Sequence, residues 1–492
     1  MNDYLLGLDI GSSSVKAALI HIETGKTVVV CQSPQEEMVI SSPQPGWAEQ
    51  DPDMWWHHAK ESFQLAIKKS AISQKDILAI GISYQMHGLV CVDNDFKPVR
   101  PSIIWCDSRA ASIGDEAFNS LGKDFCLKHY LNSPGNFTAS KLKWVKENEP
   151  KVYERIFKVM LPGDYIAMKL TGEICTTVSG LSEGIFWDFE KGAVADDVIQ
   201  QYGFDSNLLA RIAPTFARQG AVLKSIAAEL GLNEGIPVAY RAGDQPNNAF
   251  SLNVLNPGET AATAGTSGVV YSVTDKNAFD KKSRVNAFVH VNSGDEVRNG
   301  VLLCINGTGI LNSWLRKNMA GMGYEEMNSL AAKAPIGSNG LRFFPFGNGG
   351  ERIFENHVVG ASMQGLDFNR HGQSHLLRAA QEGIVFSLKY GFDILKGMGI
   401  ETSVVRAGLS NMFLSPLFRE AFVNTLNAPL EMFETNGATG AAIGAGVGAG
   451  VYSSFPEAFK GLRQIGSEMP VTNKCELYSE AYTLWKEKLM VG

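Results

Sequence analysis

The chain begins with apolar runs too short and too regularly broken to be helical. YLLGLDI (4–10), VKAALIHIE (15–23) and KTVVVCQ (26–32) are interrupted by GSSS and ETGK, and Gly and Ser at those corners predict a meander of hairpins. The apolar period then lengthens to that of a helix. Asp51 stands as an N-cap, Pro52 takes the first helical position, and Trp56, Ala59, Phe63, Ala66 and Ile67 share one face. ILAIGISYQMHGLVCVD (77–93) predicts strand, turn and strand, broken at the corner Gln85-Met86-His87-Gly88. From 100 to 240 helical and aromatic-rich runs mix without an order that periodicity resolves. Farther on, strand TSVVRAG (402–408), helix SPLFREAFVNTLN (415–427), strand PLEMFE (429–434) and a small-residue helix from Ala438 alternate, which is α/β architecture.

One pattern occurs twice. LDIGSSSVKAAL (8–19) laid on ATAGTSGVVYSV (262–273) matches Gly11 with Gly265, Ser13 with Ser267 and Val15 with Val269, with Thr266 opposite Ser12. Each copy reads as strand, Gly-Ser/Thr turn, strand, and the second falls near half-length. A duplicated domain is the natural expectation, and 492 residues are too many for a single core. The expected domains are 1–248 and 249–492.

Composition narrows the class without naming it. The chain is 45% hydrophobic and 19% charged with a formal net charge of −7, a globular balance lacking the Lys/Arg tracts that nucleic acid requires. Its seven cysteines are scattered with no Cys-x-x-Cys, and are expected to be buried thiols of a reducing cytoplasm, not a disulfide frame or zinc site. The first residues lack the pattern of a signal peptide, and no apolar run has the length of a membrane span.

Four apparent motifs fail on context. Gly25-Lys26-Thr27 has Ile20 where a phosphate-binding loop needs glycine, and it sits in a hairpin turn. GLSEG (180–184) spells a nucleophile elbow around Ser182, but IFWDF after it predicts a strand where a helix is required. GAGVGA (444–449) falls inside the small-residue helix, where close packing accounts for its glycines. His371 and His375 lack the intervening glutamate of a metalloprotease helix and predict a polar helix start.

The chemistry concentrates elsewhere. In a Gly-Ser-Ser-Ser turn the backbone N–H groups and hydroxyls form a cradle for phosphate oxygens, or else simply close a hairpin. Asp9 at the end of the first strand would repel phosphate, so a role in holding Mg²⁺ suits it better. Asp244, in Ala-Gly-Asp-Gln after an apolar run, faces such chemistry as a general base or merely caps a helix. Gln85, His87, Asp107 and Arg109 supply donors and acceptors suited to a polyol, with Trp47 or Trp105 able to cover its apolar face.

Eight segments in collinear order resemble the FGGY carbohydrate kinases: LGLDIGSSSVKAAL, GWAEQDPDMWW, GISYQMHG, IIWCDSR, LPGDYIAMKLTGE, AGDQ, TAGTSGVV and GATGAAIGAG. The resemblance implies two ribonuclease-H-like domains of the actin-like ATPase fold with a central nucleotide cleft, and use of ATP with Mg²⁺. It implies Asp244 as catalytic base and Asp9 as the metal-side aspartate. Ser12, Ser13, Ser14 and Lys16 match the first phosphate loop, and Gly265 and Thr266 the second. Met86 and His87 match the substrate pair, Asp107 the acidic residue of the sugar-lining segment, and Gly408 and Asn411 fall at the adenine-side turn.

The implied reaction is phosphorylation of the terminal hydroxyl of D-xylulose, with another ketose, a sugar acid or glycerol as alternatives. An actin- or Hsp70-like ATPase acting on a protein partner is the rival of a different class. A small-molecule sugar is the implied partner, a homodimer the implied assembly and the cytoplasm the implied location. The sequence departs from the family at Arg406-Ala407-Gly408-Leu409-Ser410-Asn411, where only Gly408 of the adenine turn is kept, and at GNGGERIFEN (347–356), which lacks the usual Thr-Pro. Gln245 is typical of the glycerol-kinase branch.

Overall fold

The hairpin meander closes as its turn residues dictate. In the computed structural model, which describes residues 3–319 and 321–489, β1 (Tyr4–Ile10), β2 (Val15–His21) and β3 (Thr27–Ser33) pair antiparallel in sequence. The helix α1 (Pro52–Ser70) starts where its cap predicts, the Asp51 carboxylate accepting from Asp53 N–H. β4 (Ile77–Tyr84) then lies parallel to β1. The second apolar run of that segment, Val90–Val92, does not return on β4; it pairs with Lys158–Met160.

Residues 100–240, which periodicity leaves unordered, hold α2 (Thr138–Asn148) and α3 (Val178–Glu183). Strands β5 (Phe216–Ala221) and β6 (Pro237–Gly243) follow, and then α4 (Asp244–Ser251). The sheet order is β5-β6-β4-β1-β2-β3, with β6, β4 and β1 mutually parallel. The strand expected after GLSEG is present as the short Trp187–Asp188, paired with Ala193–Val194. GLSEG itself closes α3, whose N-terminus the Thr177 hydroxyl caps by accepting from Gly180 N–H, so the glutamate ends a helix.

The chain divides into two compact units. The first comprises Met1–Asn253, Phe288–Asn299 and Thr435–Leu462; the second comprises Val254–Ala287, Gly300–Glu434 and Arg463–Gly492. In the second unit β7 (Glu259–Ala264) and β8 (Gly268–Thr274) form the duplicate hairpin. With β9 (Asn299–Ile305), β10 (Val404–Gly408), β11 (Leu430–Phe433) and β12 (Gln464–Glu468) they follow one another in the order β9-β8-β7-β10-β11-β12. Its helices include α5 (Gly309–Asn318), α6 (Gln373–Gly397) and α7 (Pro416–Leu426). The two hairpins differ at the turn. Ile10 pairs with Val15 across four residues, whereas Ala264 pairs with Gly268 across three, so the sequence echo slips by one residue beyond the corner.

The chain returns to the first unit as α8 (Gly437–Gly448), N-capped by Asn436. Alternation along β1 sends Leu6, Leu8 and Ile10 into the core with Trp55, Ala59, Phe63 and Ala66 of α1. Leu5, Gly7 and Asp9 take the other face, which α8 covers. There a Cβ on Gly7 would lie 1.9 Å from Ala438 O, one on Gly81 1.9 Å from Ala441 O, and one on Gly448 1.8 Å from Ala239 O. Backbone thus meets backbone, and that contact accounts for the small-residue run. Cysteine burial is only partly as expected: Cys31, Cys91, Cys126 and Cys175 are buried, Cys304 and Cys475 half-buried, and Cys106 exposed, all as free thiols. Among the described residues, no helix is long and apolar enough to cross a membrane.

Candidate active site

Three parallel neighbours end side by side in the first unit, and crevices at the carboxyl ends of such strands bind ligands. β1 carries Asp9 as its last residue but one, β4 runs into Gln85–Gly88, and β6 delivers Asp244 as the first residue of α4. The register aligns them: Ile10 and Gly243 both lie opposite Tyr84, and Gln85 N–H donates to Ile10 O at 2.8 Å. Burial pushes the Asp244 carboxyl up to about 7, and the negative Asp9 beside it adds to the rise. Lys16 lies directly across β2 from Asp9. A Cβ on Gly437, at the start of α8, would sit 2.6 Å from Asp9 Oδ2, so only glycine leaves room at that carboxylate.

The turn after β1 is held from beneath by its carbonyls. Gly11 N–H donates to Ser14 O, Met38 N–H to Ser13 O, and Gln50 Nε2 to Ser12 O at 2.7 Å. Gln50 Oε1 in turn accepts from Trp55 Nε1 and from Gln85 Nε2. One buried amide, unremarked in the sequence reading, therefore ties the serine turn to the Gln-Met-His-Gly turn. Trp105 is 54% exposed with its Nε1 3.4 Å from Ser12 Oγ, whereas Trp47 stacks on the Arg109 guanidinium, 3.8 Å from ring centroid to Cζ.

Met86 is buried against Gly243, and His87 packs its ring on Phe137 and Phe288 at 4.7 and 5.3 Å between centroids. Asp107 and Arg109 are brought to the same region but face each other. Asp107 Oδ2 accepts from Ala48 N–H, Arg109 Nε and Arg109 NH2, Oδ1 accepts from Arg109 N–H, and Arg109 also pairs with Glu49 at 2.7 Å. Two buried charges absent from the sequence reading, Lys141 and Glu183, complete the surroundings of His87.

In the second unit the turn Gly265–Ser267 rests on the start of α5. Gly309 and Ile310 N–H donate to Gly265 O and Thr266 O, and the Thr308 hydroxyl lies 3.3 and 3.1 Å from the same two carbonyl oxygens. A Cβ on Gly309 would approach Gly265 O to 2.2 Å, which fixes glycine there. Buried Glu351 holds the preceding residues, accepting from Asn306 and Gly307 N–H at 3.0 Å each. Asn411 comes to the same turn, its Nδ2 3.5 Å from where a Gly265 Cβ would stand, while Gly408 ends β10.

Comparison with known proteins agrees in kind. The model of the FGGY family of carbohydrate kinases, N-terminal domain, matches residues 4–251. The xylulose kinase of Bacillus subtilis is 29% identical over 493 residues, covering 98% of this chain and 96% of that protein. The crystal structure of xylulose kinase from Rhodospirillum rubrum is similar at a TM-score of 0.89 and 25% identity, covering 99% of this chain and 98% of that one. That of gluconate kinase from Lactobacillus acidophilus reaches the same TM-score of 0.89 at 22% identity, covering 99% of this chain and 97% of that one, a likeness of fold alone.

Proposed function

Because this chain belongs to the FGGY family of carbohydrate kinases, and is thus an ATP-using sugar phosphotransferase of the actin-like ATPase fold, we propose that its acceptor is D-xylulose and its general base Asp244. The observation that carries the proposal is the placement of Asp244 at a strand end beside the Gln85–Gly88 turn, with a carboxyl raised to about 7. A base poised near neutrality can take a proton from an alcohol as that alcohol becomes nucleophilic. Relatives matching over nearly the whole length that are xylulose kinases favour D-xylulose over other acceptors. The gluconate kinase likeness shows that the fold alone does not choose the sugar.

In the proposed reaction the terminal hydroxyl of the sugar lies against Asp244. Its oxygen forms the new bond to the γ-phosphorus of ATP, its proton passes to Asp244, and the bond to the β-phosphate oxygen breaks to leave ADP. His87, Met86 and Gln85 orient the sugar, and Trp105 covers an apolar face. Asp107 and Arg109 serve this site by bracing its wall, since their polar atoms are engaged with each other and with Glu49. Ser12–Ser14, with Lys16, and the separate turn Gly265–Thr266 cradle phosphate oxygens, and Gly408 and Asn411 serve the nucleotide's base.

The residues fit a magnesium ion. Asp9 and Asp244 are like charges whose repulsion raises Asp244, Gly437 keeps Asp9's carboxylate uncrowded, and one or two carboxylates with phosphate oxygens are its usual ligands. When bound, the ion neutralises charge developing on the transferred phosphoryl group. The test is ADP release from Mg-ATP with D-xylulose, L-xylulose, D-ribulose, L-ribulose, gluconate, glycerol or no sugar. Strong preference for D-xylulose is expected. Preference for another acceptor overturns the substrate, and turnover indifferent to every sugar overturns the kinase reading in favour of a partner-driven ATPase.

A further inference from the structure

Lys141 and Glu183 are 0% and 1% exposed. Burying an ionisable group is costly unless the interior gives it defined partners, and here both side chains share one partner, His87. Lys141 Nζ, from α2, donates to His87 O at 2.8 Å and to Ile104 O at 2.9 Å. Glu183, which ends α3, accepts from His87 N–H at 2.9 Å through Oε2 and from the Tyr84 hydroxyl at 2.6 Å through Oε1. Its main-chain carbonyl lies 3.0 Å from His87 Nδ1. Both peptide groups of His87 and one ring nitrogen are thereby held.

The held residue is one that needs holding. His87 has φ of +60°, a left-handed conformation that side-chain-bearing residues adopt where their surroundings over-determine it. The Lys141 contact to Ile104 also links this turn to the Ile104–Arg109 segment, so one side chain holds both segments. We propose that Lys141 and Glu183 clamp the backbone of His87 and are positioning residues for sugar recognition. This rests on the assignment of the Gln85–Gly88 turn to the acceptor.

The charged surroundings show why neither group can be replaced by an arbitrary polar one. Glu183 is faced by Asp244 and by Asp164, which is paired with Arg241 at 3.1 Å, and burial pushes its carboxyl up to about 8. Lys141 is faced by Asp107, Cys106, Arg109 and Glu183, and burial pushes its ammonium down to about 7.

The test compares initial rates of Lys141→Met, Glu183→Ala, Glu183→Gln and His87→Ala with D-xylulose and with ATP as the varied substrate. Lys141→Met and Glu183→Ala are expected to raise the sugar KM by about 10-fold or more with the ATP KM within about twofold. Glu183→Gln is expected to recover most of the loss, its amide oxygen accepting from His87 N–H and its NH₂ donating to the Tyr84 oxygen. The double variant Lys141→Met/Glu183→Ala is expected to be little worse than the poorer single, because both act through the same backbone.

An equal rise in both KM values, or no rise while His87→Ala raises the sugar KM, overturns the clamp. If His87→Ala itself leaves the sugar KM unchanged, the assignment of the turn to the sugar fails instead. Should the variants not fold, amide hydrogen exchange on the unaltered protein decides. Protection of the His87 amide comparable to that of β4 supports the clamp, and exchange at the rate of an open loop overturns it.

Discussion

Replacing Asp244 with asparagine changes charge with almost no change of shape, and its effects on stability and turnover should have opposite signs. An aspartate with a carboxyl at about 7 in the fold and 3.8 outside it binds its proton more tightly when folded. The folded state therefore loses stability relative to the unfolded one as pH climbs from about 4 to about 7, and the loss is constant above that. A rise of about three pH units corresponds to at most about 4 kcal/mol. Partial exposure and relaxation of the surroundings reduce the expected figure to about 1–2 kcal/mol.

The neutral amide of Asp244→Asn carries no such penalty. In EDTA at pH 8 the variant should melt about 3–6 °C above the parent. At pH 5, where Asp244 is protonated in the fold but ionised in the unfolded chain, the difference should shrink to less than half, vanishing only below about pH 4. Turnover with Mg-ATP and sugar should fall by about 10²-fold or more at pH 8, because the proton acceptor is gone, and the ratio should narrow at pH 5, where the parent's own Asp244 is protonated. Scanning calorimetry at the two pH values and a coupled ADP assay read both effects. A melting difference independent of pH would refute the electrostatic account of Asp244, and near-parental turnover would refute its role as base.

Trp105→Ala should leave the melting temperature within about 2 °C, since the ring is exposed, and should raise the sugar KM several-fold in the ADP assay. Gly309→Ala places a methyl 2.2 Å from Gly265 O; it should raise the ATP KM about 10-fold or more while leaving the sugar KM unchanged, as measured by varying each substrate in turn. Arg109→Lys keeps the charge but loses the paired donors to Asp107 and the stacking on Trp47. It should lower stability by about 2–3 kcal/mol, read as a shift of the chemical-denaturation midpoint.

The local parts of the site were legible because their signals are local. A hairpin is written in its corner residues, α1 in Asp51-Pro52, and the Gln-Met-His-Gly turn in a break between two apolar runs. Glu183 was not legible for the same reason. It lies 96 positions from the histidine it holds, inside a GLSEG segment whose literal motif invites attention to Ser182, and that serine merely donates to Ser179 O and accepts from Val289 N–H. Lys141 sits in SKLKWVKEN, a run whose lysines all look solvent-facing until the helix is packed. The segment from 100 to 240 hid its order because its short helices and two-residue strands are set by tertiary contacts, and periodicity needs longer elements to show. Asp107 and Arg109 were found as residues, but the Asp107 bond to Ala48 N–H and the Arg109 pairing with Glu49 depend on segments about sixty positions apart.

The duplicated turns differ by one residue in length and are also unlike in charge, and the second difference gives them different work within the proposed reaction. In the first, Asp9 faces Lys16 across the hairpin. Its counterpart in the second is Thr263, with Val269 opposite. Glu351, which holds the residues preceding α5, is buried and turned onto Asn306 and Gly307 N–H, and Gly265, Thr266 and Ser267 themselves present only neutral groups. A polyphosphate can approach such a turn unaided, since peptide N–H groups and hydroxyls meet anions without a counter-charge. It cannot approach Asp9 and Asp244 in that way: Asp9 already raises the cost of ionising Asp244, and a third anion adds to it. In the proposed reaction the demand for a divalent cation would therefore lie with the first unit. The same unit carries the proposed base, and a cation held by Asp9 there would also favour the ionised form of Asp244.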